Sequence, residues 1–285
     1  MKKLYKIGGL LIIIGLFLFG ISKVVTSHSP QPTPVRPQQR QSRSQGHTFN
    51  VNEFDRIQLK CYRPDIRIAT GKNFQITISG SHGADIKKIK AKVKDQQLTI
   101  YDQPEHHYND GFYQVNISVP KRSSLKKVAG FCDAGDMQLT NLDLSTMELK
   151  INDGDLVIND AKTNNLQAQV NDGDFKIVDS TILASKLKVA DGDLAIANSK
   201  LQTATKLADG DIKIRRSEFT NDSSFKLYDG EFLMTDSPKI SYVLSTSSDE
   251  NIRFFNKYYS GRFSQKVKNK PALHVNSTDG SILIH

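Results

Sequence analysis

The chain is missing the short signatures of several common chemistries. It contains no G-x-x-x-x-G-K-[ST] phosphate loop, no G-x-S-x-G nucleophile elbow and no C-x-x-C pair. P-loop nucleotide hydrolysis, α/β-hydrolase chemistry and thioredoxin-type exchange therefore have no foothold in it. Cysteine is scarce: Cys61 and Cys132 stand alone, 71 residues apart in strand-like contexts. Outside the cytoplasm two such thiols can pair, but sequence does not bring their sulfurs within bonding distance. A bridge and two buried free thiols both stay open. The histidines are scattered, and none of His28, His47, His82, His106, His107, His274 and His285 sits beside the repeat described below. Glu105-His106-His107 has the look of a metal fragment, yet adjacent histidines on a loop read more simply as solvated. No stretch after residue 46 sustains a 3.6-residue apolar period with a helix cap, which excludes a helical fold.

Acidic residues are absent from residues 1–46, which carry seven Lys/Arg. Of the formal net charge of +9, only +2 is left for everything after. The basic balance belongs to a tail rather than a domain and does not point to nucleic acid. That tail begins with "MKKLYK", a positive n-region, followed by the apolar run Ile7 to Ile21 that continues to Val25. As a helix rising about 1.5 Å per residue, it nearly spans a hydrocarbon core about 30 Å thick. No A-x-A-like cleavage site and no lipid-accepting Cys follows it. The sequence thus predicts one transmembrane helix, an uncleaved signal anchor over residues 1–26, with the main domain extracytoplasmic. Residues 27–46 are rich in Pro, Gln and Ser and cannot bury a core, so they read as an extended spacer. Its arginines suit anionic envelope polymers or lipid headgroups, or serve solubility alone.

From His47 the pattern changes to alternation. "RIQLKCY", "DIRIAT", "FQITISG", "KIKAKVK", "QLTIYD" and "YQVNISV" place apolar residues at every second position, bounded by Gly, Asp or Pro. These are half-buried strands, and the domain over 47–285 is all-β.

Over residues 129–237 a unit recurs. Gly135, Gly154, Gly173, Gly192, Gly210 and Gly230 follow one another at intervals of 19, 19, 19, 18 and 20 residues. Apolar pairs flank them, as Leu149 and Ile151 before Gly154, then Leu156 and Ile158 after it. Six near-equal units that each bury a face only by stacking on neighbours predict a single-stranded parallel β-solenoid (a β-helix or β-roll) of about six 19-residue rungs. Residues 238–285 are expected to cap it. Ile151 and Leu156 are five residues apart, so the chain must turn between them for both to point inward. Gly supplies that turn, and the preceding Asp is expected to fix it as an Asx-turn.

The second acid of each Asp-Gly-Asp corner is left without a stated role. Stacking places Asp155, Asp174, Asp193, Asp211 and Glu231 in one column and Asp153, Asp172, Asp191, Asp209 and Asp229 in another. Like charges stacked on a sheet repel, and residues 129–237 hold 19 acids against 11 Lys/Arg. Calcium bound by Asp153, Asp155, Asp172, Asp174, Asp191, Asp193, Asp209 and Asp211 would relieve them. However, the solenoid calcium motif is a Gly-rich nonapeptide, and EF-hand spacing is absent too. Solvent and turn amides are the simpler relief, so no cofactor is required. Carboxylates about 4.8 Å apart also approach the separation in a retaining glycosidase, as in a polysaccharide-acting β-helix enzyme. Such an enzyme needs a cleft and two split pKa values, whereas these rungs are short and even. The chain reads as a non-enzyme.

Together these features carry a resemblance: an N-terminal anchor, the opening "FNVNEFDRIQLKCYRPDIRIATG", the step "VNISVPK", the Gly-Asp rungs and the closing "HVNSTDGSILIH". The chain resembles the putative-adhesin family, a domain of unknown function in bacterial cell-envelope proteins, including LiaG/LiaX-like ones. The resemblance covers residues 47–285. It implies a membrane-tethered extracytoplasmic β-solenoid linked to adhesion or envelope stress, and it brings no catalytic residues. One segment departs from the rungs. Residues 250–270 interleave Arg253, Lys257, Arg262, Lys266, Lys268 and Lys270 with aromatics that include Tyr258 and Tyr259. These eight residues are the candidate contact site for anionic wall polymers, carbohydrate or envelope proteins. An aromatic-rich hairpin capping the open end of the solenoid fits the same residues.

Overall fold

A computed structural model of the chain describes residues 45–81, 84–102, 111–247 and 251–285. The expected anchor over 1–26, the spacer up to residue 44 and the Glu105-His106-His107 fragment lie outside the described residues. Among the described residues no helix is long and apolar enough to cross a membrane.

The alternating N-terminal stretches form strands in chain order: β1 Gln45–Asn50, β2 Arg56–Cys61, β3 Asp65–Thr70, β4 Gln75–Gly80, β5 Lys90–Lys94, β6 Gln97–Tyr101 and β7 Tyr113–Val119. The repeat supplies β8 Lys127–Ala134, β9 Met137–Asp153, β10 Leu156–Asp172, β11 Phe175–Val178, β12 Thr181–Asp191 and β13 Leu194–Ala197. It continues with β14 Lys200–Asp209, β15 Ile212–Arg215, β16 Glu218–Phe219, β17 Ser223–Asp229 and β18 Phe232–Thr235. The C-terminal part adds β19 Ser241–Thr246, β20 Asn251–Phe254, β21 Lys257–Ser260, β22 Arg262–Gln265, β23 Ala272–Asp279 and β24 Ile282–Ile284.

Within the repeat every unit pairs in parallel with the units before and after it. Leu156 faces Met137 on one side and Phe175 on the other, and Val170 lies between Ile151 and Val189. Register slips are rare because a one-residue shift would turn every apolar side chain outward. Leu149, Ile151, Leu156, Ile158, Phe175 and Ile177 are all buried, as are the further inward residues Ile182, Leu201, Phe219 and Ile240. The domain is an all-β, solenoid-like sheet.

At both ends the spatial order departs from the chain order. β2 and β3 lie between β6–β7 and β8–β9. Likewise β23 and β24 slot between β17–β18 and β19–β20. The closing "HVNSTDGSILIH" is thus a rung inside the stack rather than part of a terminal cap. Antiparallel strands end the parallel ladders: β5 on β6 and β4 on β7 at one end, β22 on β19 and β21 on β20 at the other. Such additions cover parallel edges that would otherwise invite pairing with another chain. Cys61 and Cys132 are register partners on β2 and β8, and both are buried free thiols. Burial, foremost, pushes the Cys61 thiol up to about 12.

Each rung bends twice in a recurring way. At the first bend Gly154 has φ of +137°, and a Cβ there would stand 2.6 Å from the Gly135 carbonyl oxygen of the rung below. The column of glycines allows both the unusual φ and the close approach. At the second bend Asn141, Asp160, Asp179, Asn198, Arg216 and Asp236 take φ between 48° and 59°, a region that Asn and Asp enter most readily among residues with side chains. Beside it Ser180, Ser199 and Ser217 are buried. The Ser180 N–H donates to Ser199 Oγ at 3.1 Å, and the Ser199 N–H donates to Ser217 Oγ at 3.2 Å. Each of these hydroxyls donates back to the carbonyl two residues earlier.

Gly154→Ala is expected to lower the unfolding free energy by about 3 kcal/mol, from backbone strain and overpacking together. Gly261→Ala, where nothing lies within 4 Å of the added Cβ, is expected to cost only about 1 kcal/mol. Urea midpoints of the two variants check the difference; equal shifts would refute the close-approach argument.

Candidate functional site: the acid columns and the aromatic end

At the glycine corner the chain bends out of the strand ladder, so the N–H of the second acid has no backbone acceptor. The carboxylate of the previous rung accepts it instead. Asp155 N–H donates to Asp136 Oδ1 at 2.9 Å, Asp174 N–H to Asp155 Oδ1 at 2.9 Å, and Asp193 N–H to Asp174 Oδ1 at 3.1 Å. Asp211 N–H donates to Asp193 Oδ1 at 2.9 Å, and Glu231 N–H to Asp211 Oδ1 at 3.0 Å. The chain of acceptors starts at Asp65, which takes the Asp136 N–H at 3.0 Å. It ends where Ser281 Oγ donates to Glu231 Oε2 at 3.3 Å. Hydrogen bonds to a charged acceptor are the stronger kind.

The second oxygen of these carboxylates meets lysine. Lys176 Nζ lies 3.0 Å from Asp174 Oδ2 and 3.6 Å from Asp155 Oδ2. Lys213 Nζ lies 3.1 Å from both Asp193 Oδ2 and Asp211 Oδ2. Lys176 and Lys213, two rungs apart, thus each bridge two acids. Burial raises the Asp174 carboxyl, but the Asp193 N–H and Lys176 outweigh it and hold it below the ordinary carboxylate value. Asp211 behaves the same way, with the Glu231 N–H and Lys213 as the opposing causes. For Lys176 burial is the largest influence and acts downward, yet its two acids leave it raised. Lys213 is raised first by its bond to Asp211.

The roles within each Asp-Gly-Asp corner are thus the reverse of those expected. Asp153, Asp172, Asp191 and Asp209 align in register, exposed to solvent. Among the described residues none of the four has a side-chain hydrogen bond, so the Asx-turn expected of them is not formed. Asp155, Asp174, Asp193 and Asp211 fasten the corner, and they do so between rungs. Among the described residues no three His, Cys, Asp or Glu side chains are grouped to hold a metal ion. Sequence reasoning missed Lys176 and Lys213, although each stands two residues after a second acid and therefore on the same strand face.

The residues singled out over 250–270 gather at the β19–β22 end of the stack. Phe254 packs against Phe263 at 4.4 Å and Tyr242 at 5.2 Å, and Tyr259 against Phe263 at 4.5 Å. The Arg253 guanidinium lies 5.8 Å from the centre of the Tyr258 ring, which is 66% exposed. A cleft of about 530 Å³ opens here, lined by Phe254, Phe255, Lys257, Tyr259 and Phe263. Arg262 lies on β22, whereas Lys266, Lys268 and Lys270 follow that strand, all exposed. The expected cap and the expected contact residues occupy the same place.

Stacked rungs with glycine corners and a carboxylate ladder define an all-β, solenoid-like domain. The chain belongs to the Toastrack DUF4097 family, whose model matches residues 54–285. No curated protein matches it. Among solved structures it is similar to a putative adhesin from Bacteroides fragilis, with 17% identity, coverage of 85% of this chain and 97% of that one, and a TM-score of 0.45. A putative lipid binding protein from Parabacteroides distasonis matches at 12% identity, with coverage of 84% and 96% and a TM-score of 0.43. A putative cell adhesion protein from Clostridium sporogenes matches at 11% identity, with coverage of 85% and 98% and a TM-score of 0.36.

Asp174→Ala removes the acceptor of the Asp193 N–H and one partner of Lys176, and is expected to cost about 1–2 kcal/mol of stability. Asp174→Asn keeps an acceptor oxygen and should cost less than half as much. Because Asp174 and Asp211 sit below their ordinary value when folded, their contribution is present above about pH 4 and lost as pH falls further. The raised Lys176 and Lys213 contribute below about pH 10 and lose that contribution as pH rises through their folded values. Urea unfolding from pH 2.5 to 11 should show a plateau between these limits, with a shallower acid limb in Asp174→Asn.

Proposed function

We propose that this protein is a non-catalytic, membrane-anchored binding or scaffold module of the bacterial cell envelope, with its β domain outside the cytoplasm and a part in the envelope-stress response. Membership of the family and the sequence of residues 1–46 support the setting. The observation that carries the binding role is the exposed aromatic and cationic end of the rod, where Lys257 and Tyr259 line a cleft and Lys266, Lys268 and Lys270 stand free in solvent. Aromatic faces beside cations suit carbohydrate or anionic wall polymer. Against a hydrolytic role, Asp136, Asp155, Asp174, Asp193 and Asp211 each already accept the amide of the next rung. Asp174 and Asp211 are both lowered, whereas an acid–base pair needs one carboxyl held high.

A second reading, a calcium-stabilised surface rod, draws on the outer column alone, since Asp153, Asp172, Asp191 and Asp209 keep their carboxylates exposed and in register. Melting with calcium and with chelator tests it, and an unchanged midpoint counts against it.

Lys266→Glu, Lys268→Glu and Lys270→Glu together are expected to reduce retention of the protein on purified cell walls at least severalfold. Retention equal to wild type would overturn the assignment of this end as the contact site.

A further inference from the structure

One face of the stack carries a second ladder, of opposite sign to the acid columns. On β9, β10, β12, β14 and β17 the register aligns Lys150, Gln169, Lys188, Lys206 and Lys226 in a single column. Toward one end the same column continues through Phe131 and Lys60 to Tyr101 and Lys90. Toward the other it continues through Asn276 and Ser245 to Arg262. No acid interrupts it. Twelve strands at about 4.8 Å apart make a stripe roughly 50 Å long. Lys60, Lys90, Lys150, Lys188, Lys206 and Lys226 are exposed. Beside the column a groove of about 420 Å³ is lined by Lys186, Lys188, Lys206, Lys226, Val243 and His274.

Several lysines elsewhere in the fold are neutralised by acids. Lys176 and Lys213 bridge the acid ladder, Lys127 pairs with Glu148 and Lys200 with Glu218. Among the described residues Lys150, Lys188, Lys206 and Lys226 have no carboxylate within ion-pair distance. The Lys226 ammonium instead lies 4.9 Å from the Tyr228 ring centre. In-register like charges are unfavourable, and a chain of negative charges laid along the rod would relieve all of them at once.

We propose that this stripe is the binding track for an extended, linear phosphate polymer lying along the solenoid axis across successive rungs. The proposal rests on the binding-module reading and places the ligand on the side of the rod as well as its end. The cations are almost all lysine, compact point charges that bind phosphate without requiring the fixed bidentate geometry of an arginine fork. Phe131 and Tyr101 are the only aromatics in the column, both toward one end, so the stripe offers no rung-by-rung stacking surface for nucleic-acid bases.

The test is affinity of the full chain, held in neutral detergent, for long-chain inorganic polyphosphate, read by fluorescence anisotropy. The basic residues of 1–46 are common to all variants, so differences report the stripe. Lys188→Glu, Lys206→Glu and Lys226→Glu together should weaken binding at least tenfold and flatten its salt dependence, and the corresponding Gln variants should do so to a smaller extent. Tripolyphosphate should bind far more weakly than the long chain. Unchanged affinity in the Glu and Gln variants, or no binding by wild type, overturns the proposal. Equal affinity for polyglutamate overturns the phosphate assignment, and poly-dT binding more tightly than polyphosphate overturns the exclusion of nucleic acid. If the Lys266, Lys268 and Lys270 variant alone loses polyphosphate, the stripe is refuted while the binding-module reading stands. If wild type binds neither polyphosphate nor purified walls, both fail.

Discussion

The structure depends on what happens to one N–H at each glycine corner. A parallel stack satisfies its backbone through rung-to-rung ladders, but a sharp bend takes the second-acid amide out of line. A buried or half-buried amide without an acceptor costs about 1–3 kcal/mol, and the corner recurs rung after rung. The carboxylate of the preceding rung fills the gap each time, from Asp65 to Glu231. Glycine is the enabling partner. Only without a Cβ can one corner sit directly on the carbonyl of the corner below. At the opposite bend buried serine hydroxyls do the equivalent work, and residues of positive φ take the turn.

This arrangement explains why an acid-rich stack is stable without neutralising every charge. In the inner column Asp155, Asp174, Asp193 and Asp211 are each held by an amide on one oxygen and Glu231 by the Ser281 hydroxyl, while Lys176 and Lys213 serve two acids apiece on the other oxygen. The outer column stays in solvent, where repulsion is screened. The lysine stripe on the adjoining face has no such internal compensation. The rod therefore carries one charge ladder that is closed within the fold and another that is open to a partner.

Much of the architecture was legible in the chain. The glycine interval revealed stacking, and strict alternation marked both the N-terminal strands and the inward residues. The family resemblance followed from the same features. Other points were not. Asp153 and Asp155 are chemically identical and two residues apart, so no local pattern tells which one meets an amide. The answer depends on the neighbouring rung. The lysine stripe was hidden for a similar reason, since Lys60, Lys150 and Lys226 are far apart in sequence and share a column only once the register is known. Near the ends, insertion of β2–β3 and β23–β24 beneath later and earlier strands breaks the link between chain order and spatial order. The aromatic segment at 250–270 could be found by composition, but its cleft could not.

By itself the sequence determined the repeat length, the glycine corners, the inward faces and the all-β character, because these follow from residue spacing and backbone sterics within a unit. Only the tertiary structure decided which acid fastens the corner, which lysines are neutralised, and which strands form the outermost layers. Those are relations between rungs, set by a register that brings together residues about nineteen or more positions apart, and spacing along the chain does not encode which side chain will meet which.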